Sequence, residues 1–293
     1  MKHIVKRKHS ANRYKSIIVN PVMQNMVKQN NIQIVGLNVN GLVSKVEHGV
    51  LEVYLNNFDI ACLTETKIDH IEDDFLPNFH PFILGRKNKS HRYGGIHGIC
   101  IMVKKKLVDF VSVVRETSDE NVLWIKIDKG AFGLECILGA IYLPHEGSRF
   151  HSNEIFDILA EDIMCLESKY NLPIVLIGDF NARTGVVDDF MTVEDTITVE
   201  CGLDEVDNAI FDVKSRLESL GITTERNNED KKRCNNNGFQ MIELCKSLNV
   251  KIINGRFGDD KGIGKLICDA LYRGASTIDY ALVVNPYINN KLV

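Results

Sequence analysis

The chain has no C-x-x-C pair and no histidine at zinc-ligand spacing beside any of its eight cysteines. Neither a zinc module nor a disulfide framework is therefore indicated, and the cysteines at 62, 100, 136, 165, 201, 234, 245 and 268 read as reduced, mostly buried thiols. No run approaches the ~18 consecutive apolar residues of a membrane span, and the first thirty residues lack the apolar core of a secretory signal. The expectation is an intracellular protein with no membrane partner. There are only six prolines in 293 residues, and the net charge is only −4. The few prolines speak against a Pro-rich or collagen-like chain. The small negative charge excludes a strong polyanion binder acting through overall charge, so any hold on nucleic acid must come from local patches.

With 44% hydrophobic and 25% charged residues, the profile is that of an ordinary globular domain. A chain of this length buries roughly three quarters of its unfolded surface without cross-links. Basic residues gather in a leader over 1–31 (Lys2, Lys6, Arg7, Lys8, Arg13, Lys15), between Arg86 and Arg92, and at Lys104–Lys106. The leader reads as a phosphate-seeking arm, a nuclear-type signal or a solvated extension.

Short apolar runs at Ile32–Leu37, Ile60–Leu63, Ile96–Val103, Val122–Ile127, Cys136–Leu143, Ile174–Ile177, Val250–Ile253 and Ile278–Val284 predict strands. Within Val122–Ile127, Val122, Trp124 and Lys126 should face away from Leu123, Ile125 and Ile127. Helical spacing predicts helices over Ser152–Lys169, with Ile155, Ile158, Leu159, Ile163 and Leu166 inward, and over Phe239–Leu248, with Met241, Ile242, Cys245 and Leu248 inward. Many strands and few helices point to an α/β class fold, a two-sheet sandwich flanked by helices, spanning 32–293. About residues 186–230, carboxylates at 188, 189, 194, 195, 200, 204, 205 and 207 crowd a stretch without periodicity, which reads as a solvated acidic insertion.

Three sites carry chemistry. Asn38 and Asn40 follow the first strong strand and precede Gly41, at the strand end where open α/β sheets bind ligands. An amide there ligates a hard cation through oxygen or donates to a phosphate through nitrogen, although Asn-Gly is also a common turn. Glu65 stands where another apolar strand ends, a position that suits Mg2+ or a salt bridge to Lys67. The run Gly178-Asp179-Phe180-Asn181 follows a fully apolar strand and brings a carboxylate and an amide together, so that Asp179 can hold or deprotonate water while Asn181 donates to phosphate.

With these residues, the chain resembles the endonuclease/exonuclease/phosphatase superfamily, which includes abasic-site endonucleases. The resemblance is closest to the endonuclease domains of retrotransposons lacking long terminal repeats. It spans about 32–285 and is carried by Asn-Val-Asn-Gly-Leu at 38–42, Thr64-Glu65-Thr66-Lys67, Ile141-Tyr142-Leu143-Pro144, Gly178–Gly185, Asn254-Gly255-Arg256 and Ser276-Thr277-Ile278-Asp279-Tyr280. It implies a Mg2+-dependent DNA-nicking activity, with Mn2+ as the alternative ion, in a monomeric domain of a longer polyprotein with reverse transcriptase. By the resemblance, Glu65 is the metal-binding glutamate and Asn38 lies close to the ion. Tyr142 contacts the scissile phosphate, Asp179 activates water, Asn181 steadies the phosphate, and Asn40 and Asn235 face it. Asp279 orients a histidine.

That histidine belongs to a Ser-Asp-His segment on the family's last strand, and none of this chain's nine histidines follows His151. A second departure is Ile267, where the retrotransposon branch carries Thr. The resemblance then implies a domain missing its last strand and weak or no hydrolysis. Alternatives within reach of the same residues are a phosphatase or phospholipid hydrolase of the superfamily, or a non-catalytic nucleic-acid-binding remnant.

Overall fold

The apolar runs become strands because each has two faces to bury. In a computed structural model, described here for residues 17–19, 32–47, 49–72, 75–85, 98–115, 117, 120–190, 223–270 and 274–284, they form two stacked sheets with helices outside. The basic leader apart from 17–19, the Arg86–Arg92 patch and 191–222 of the acidic stretch lie outside the described residues.

The first sheet has the order β1 (Ile17–Val19), β2 (Ile34–Asn38), β3 (Ile60–Thr64), β5 (Ile99–Lys104), β4 (Phe79–Leu84). β2 and β3 are parallel and the other neighbours antiparallel. The second sheet runs β10 (Val250–Ile252), β13 (Asp279–Val284), β9 (Ile174–Asp179), β8 (Cys136–Tyr142), β7 (Val122–Ile127), β6 (Val111–Val113), with only β8 and β9 parallel. A separate hairpin joins β11 (Cys268–Ala270) to β12 (Gly274–Ser276).

The core falls into three apolar layers. Ile60, Cys62, Ile101, Leu123, Ile125, Ile127, Leu138 and Ile177 fill the gap between the sheets. Outside the first sheet, α1 (Leu42–Glu47) and α2 (Val50–Leu55) press Leu42, Leu51 and Leu55 onto Val35, Leu37, Ala61 and Leu63. Outside the second, α4 (Ile155–Tyr170) and α5 (Asn236–Ser247) cover Trp124, Ile141, Leu176 and Tyr280; the short α3 (Lys129–Phe132) intervenes along the chain. The period-2 reading of β7 holds: Val122 and Trp124 face the helices, while Leu123, Ile125 and Ile127 face the other sheet.

Several boundaries differ for stated reasons. β4 was not foreseen because Pro81 interrupts its sequence, yet as an edge strand it tolerates the missing N–H. β9 continues two residues beyond its apolar run, so Gly178 and Asp179 end a strand rather than begin a turn. Gly178 is required there, since a Cβ would lie 2.0 Å from the Ile141 carbonyl oxygen on β8. α5 starts three residues earlier than its apolar spacing implies, because the Asn235 side chain caps it by accepting the Gly238 N–H at 2.9 Å. The thiols of Cys62, Cys100, Cys136, Cys165, Cys234 and Cys245 are free; Cys62, Cys100 and Cys245 are buried, whereas Cys165 is exposed.

The acidic stretch is not uniformly solvated. Asp189 is fully buried and pairs with the equally buried Arg256, through Nη2 at 2.8 Å and a second, shorter bond from Nη1. Arg256 also donates to the Thr224 carbonyl, and the Arg226 guanidinium donates to the Val187 carbonyl. Segments 186–190 and 223–228 are thereby clasped at one point over β10. Burial alone would raise the Asp189 carboxyl, but the charges of Arg256 and Lys251 and the bonds from Arg256 and the Ile252 N–H hold it below the usual carboxylate range. Removing Arg256 strands a buried anion, for which the usual cost is about 3–5 kcal/mol. Arg256→Met should lower stability by about that amount in urea unfolding at neutral pH; a loss below about 1 kcal/mol would show that the pair does not anchor this segment.

Candidate active site

Four strand ends meet on one side of the two-sheet stack. Asn38 is the last residue of β2 and Glu65 follows β3; Asp179 ends β9 and Tyr142 ends β8. Because β8 and β9 run parallel, Tyr142 is the register partner of Asp179; because β13 runs antiparallel, its first residue, Asp279, is the other. Strand direction thus gathers residues separated by up to 241 positions.

The Asn38 amide nitrogen spans the two sheets, donating to Glu65 Oε1 at 2.9 Å and to Asp179 Oδ2 at 3.0 Å. Its oxygen accepts the Asn40 N–H at 3.1 Å. The reverse orientation would set oxygen against two carboxylates, so nitrogen must face them. In this arrangement Asn38 bridges the two carboxylates.

Asp179 Oδ1 also accepts the Asn181 N–H at 2.9 Å. The Asn181 side chain donates to the Leu143 carbonyl at 2.8 Å, tying the ends of β8 and β9 together. Asn40, by contrast, is exposed and accepts from Lys67 Nζ, so the two amides of the Asn38–Asn40 pair do different work. Asn235 places its hydrogen bonds within the loop: its oxygen accepts from Arg183 N–H at 2.7 Å as well as from Gly238, and its nitrogen donates to the Asn181 carbonyl at 3.0 Å. It is spent on building the loop. Tyr142 is largely buried, packed in the layer between the sheets.

Strain is concentrated here. Asn40, Glu65, Lys67 and Asn181 all take left-handed backbone conformations, with φ of 45, 50, 58 and 47°. Such positions cost about 1–3 kcal/mol each and persist where surroundings over-determine them. The sequence gives Lys67 only as a partner for Glu65 and Asn254 only as part of a motif, and it gives Asn237 no role of its own. Asn254 is buried and clamps β13, donating to the Asp279 carbonyl at 3.2 Å and accepting from Ala281 N–H at 2.9 Å. An Asn-Gly pair signals a turn, not a clamp, so nothing local announced it.

Burial is the main reason that the Asp179 carboxyl is pushed up to about 7; hydrogen bonds from Asn181 and Asn38 oppose this and the Glu65 charge adds to it. Asp279 is raised well above the usual range by burial first, then by Asp179 and Glu65. None of the described histidines reaches Asp279: the hydrogen bonds and ion pair of His70, His145 and His151 go to Glu72, Gly147 and Asn237, and the His80 ring packs on Phe82.

These features point to one family. Its sequence profile, described as Endonuclease/Exonuclease/phosphatase family, matches residues 35–199, more than half of the chain and inclusive of Asn38, Glu65, Tyr142, Asp179 and Asn181. The chain belongs to the endonuclease/exonuclease/phosphatase family. Solved structures share its fold. The endonuclease domain of TRAS1, a telomere-specific non-LTR retrotransposon, is 14% identical at a TM-score of 0.50, over 87% of this chain and 85% of that one. The AP endonuclease LMAP of Leishmania major is 14% identical at 0.57, over 87% and 79%. The 3'-5' exonuclease NExo of Neisseria meningitidis is 15% identical at 0.51, over 86% of each. No curated protein sequence matches.

A divalent ion implied by the family fits the donor chemistry. Glu65, Asp179 and Asp279 supply hard oxygens whose mutual repulsion a cation relieves, and the buried Thr64 and Thr66 hydroxyls beside Glu65 lack hydrogen-bond partners. Among the described residues no three His, Cys, Asp or Glu side chains form a ready ligand cage.

The sign of the Asp179 shift sets a test. A carboxyl raised from its unfolded value to about 7 favours folding most below about pH 4, and that contribution is lost as pH rises through 7. Mg2+ competes with the proton, so it should raise the melting temperature more at about pH 8 than at about pH 5.5, and Asp179→Asn should flatten the difference. Equal shifts at both pH values would mean that Mg2+ does not engage this centre.

Proposed function

We propose that this chain is a Mg2+-dependent DNA phosphodiesterase of retrotransposon origin, a nicking endonuclease domain that turns over slowly as long as, among the described residues, no imidazole reaches Asp279. The observation that supports it best is the convergence of Asn38, Glu65, Asp179 and Asp279 at one end of the stack, with Asp179 desolvated to about 7. Support for DNA as the substrate comes from the residues carrying the resemblance to retrotransposon endonucleases, together with the shared fold of an AP endonuclease and a retrotransposon endonuclease domain.

In this reading Glu65, with Asp179 or Asp279 nearby, holds the ion, which when bound polarises the phosphate and offsets its growing charge. Asp179 accepts a proton from the attacking water, a task suited to a carboxyl near neutrality. Asn38 keeps Asp179 and Glu65 in a fixed relation. The amide N–H of Asn181 not given to Leu143, and the Tyr142 hydroxyl, donate to the phosphate. Asp279 would orient an imidazole and stabilise its charge; without one, the loss in a concerted set reaches several orders of magnitude.

Supercoiled-plasmid nicking with Mg2+ tests this. The chain should nick slowly, Glu65→Ala should abolish the cut, and extension with a family terminal strand bearing Ser-Asp-His should raise the rate by about 10³-fold or more. Full-rate nicking by the unextended chain would remove the impairment from the reading, and no nicking by the extended chain would sink the reading itself.

A further inference from the structure

One buried amide beside the centre has no part in the chemistry above. Asn237, the second residue of α5, is fully buried. Its Nδ2 faces two carbonyl oxygens, of Pro144 at 3.4 Å and Asn181 at 3.5 Å, and its Oδ1 faces His151 Nε2 at 2.9 Å. Reversing the amide would oppose its oxygen to two carbonyls, so the orientation is determined. Oδ1 only accepts; His151 must therefore carry its proton on Nε2. The Asn181 carbonyl receives a second donor, Asn235 Nδ2, at 3.0 Å. The backbone N–H of Asn237 is held by Glu146 Oε1 at 2.9 Å.

This lattice joins what the chemistry needs to keep in register. Pro144 follows the β8 end that carries Tyr142, and Asn181 follows the β9 end that carries Asp179. Asn237 grips both carbonyls from a third element. Asn181 has φ 47°, a conformation that a non-glycine residue keeps only when held.

We propose that Asn237 is a positioning residue for Asn181 and the β8 and β9 ends, and that His151 sets the direction of its carboxamide. The proposal rests on the phosphodiesterase reading and names two residues that act through Asn181 rather than on substrate. Asn237→Asp keeps the acceptor for His151 but removes both donors to the carbonyls, so it isolates the grip from the bulk. His151→Gln keeps an N–H donor, and His151→Ala does not.

The test uses the full chain labelled with ¹⁵N. Long-range ¹H–¹⁵N spectra should show neutral His151 protonated on Nε2. The Asn181 side-chain amide resonances, identified by their loss in Asn181→Asp, should move in Asn237→Asp and His151→Ala and return in His151→Gln. In Mg2+-dependent nicking, Asn237→Asp should lower kcat by about 10- to 100-fold, the loss usual for outer-shell partners of metal sites, with KM little changed. A proton on Nδ1, Asn181 resonances indifferent to Asn237→Asp, or an undiminished kcat would overturn the positioning role. Wild-type chain and its strand-extended form that both fail to nick, with the spectral shifts as described, would overturn the phosphodiesterase reading and leave the positioning role standing.

Discussion

The carboxamide of Asn38 crosses the gap between the two sheets, and the arrangement of the site depends on what it holds apart and together. Its nitrogen donates to Glu65 beyond β3 and to Asp179 at the end of β9. Without a donor between them, two carboxylates at the edge of a dry interior repel, and a buried Asp179 would favour its proton even more strongly. The amide satisfies both without adding charge. It leaves the centre electrostatically incomplete, a state that a cation is suited to finish.

The architecture follows from keeping that centre at the edge of three apolar layers. The layer between the sheets positions the strands so that β2 and β9 approach closely: a Cβ on Gly36 would lie 2.4 Å from Ile177 Cγ2. Cross-strand register then sets Asp279 opposite Asp179, an unfavourable like-charge placement that structure alone would not select. Four left-handed residues lie around the same edge: local strain and charge repulsion are collected where the strand ends meet and are offset by packing elsewhere.

A second polar cluster has a separate task. Arg256 and Asp189, both fully buried, pin the segments on either side of 191–222 to β10. Asn235 and Asn237 do comparable work near the site, holding the Asn181 carbonyl from two directions. Amides and guanidinium groups serve here as fasteners for irregular backbone, which has no ladder of its own to satisfy it.

The sequence by itself determined the two-sheet class, most strands and both long helices, and it singled out residues that the fold brings together at the strand ends. Alternating or continuous apolar runs, 3.6-residue spacing and short motifs at strand ends are local signals. Asp179, Glu65 and Asn38 were legible because each ends or follows an apolar run that marks it out. Tertiary structure alone decided what each polar group does. Asn38 bridges two carboxylates, Asn235 caps a helix, Asp189 leaves a seemingly solvated acidic run for the core, and Pro81 sits in an edge strand. A side chain's hydrogen-bond partners come from residues far away in sequence, and Asn38 meets Asp179 across 141 positions. Local pattern specifies which face is buried; only the packed sheets specify which donor meets which acceptor.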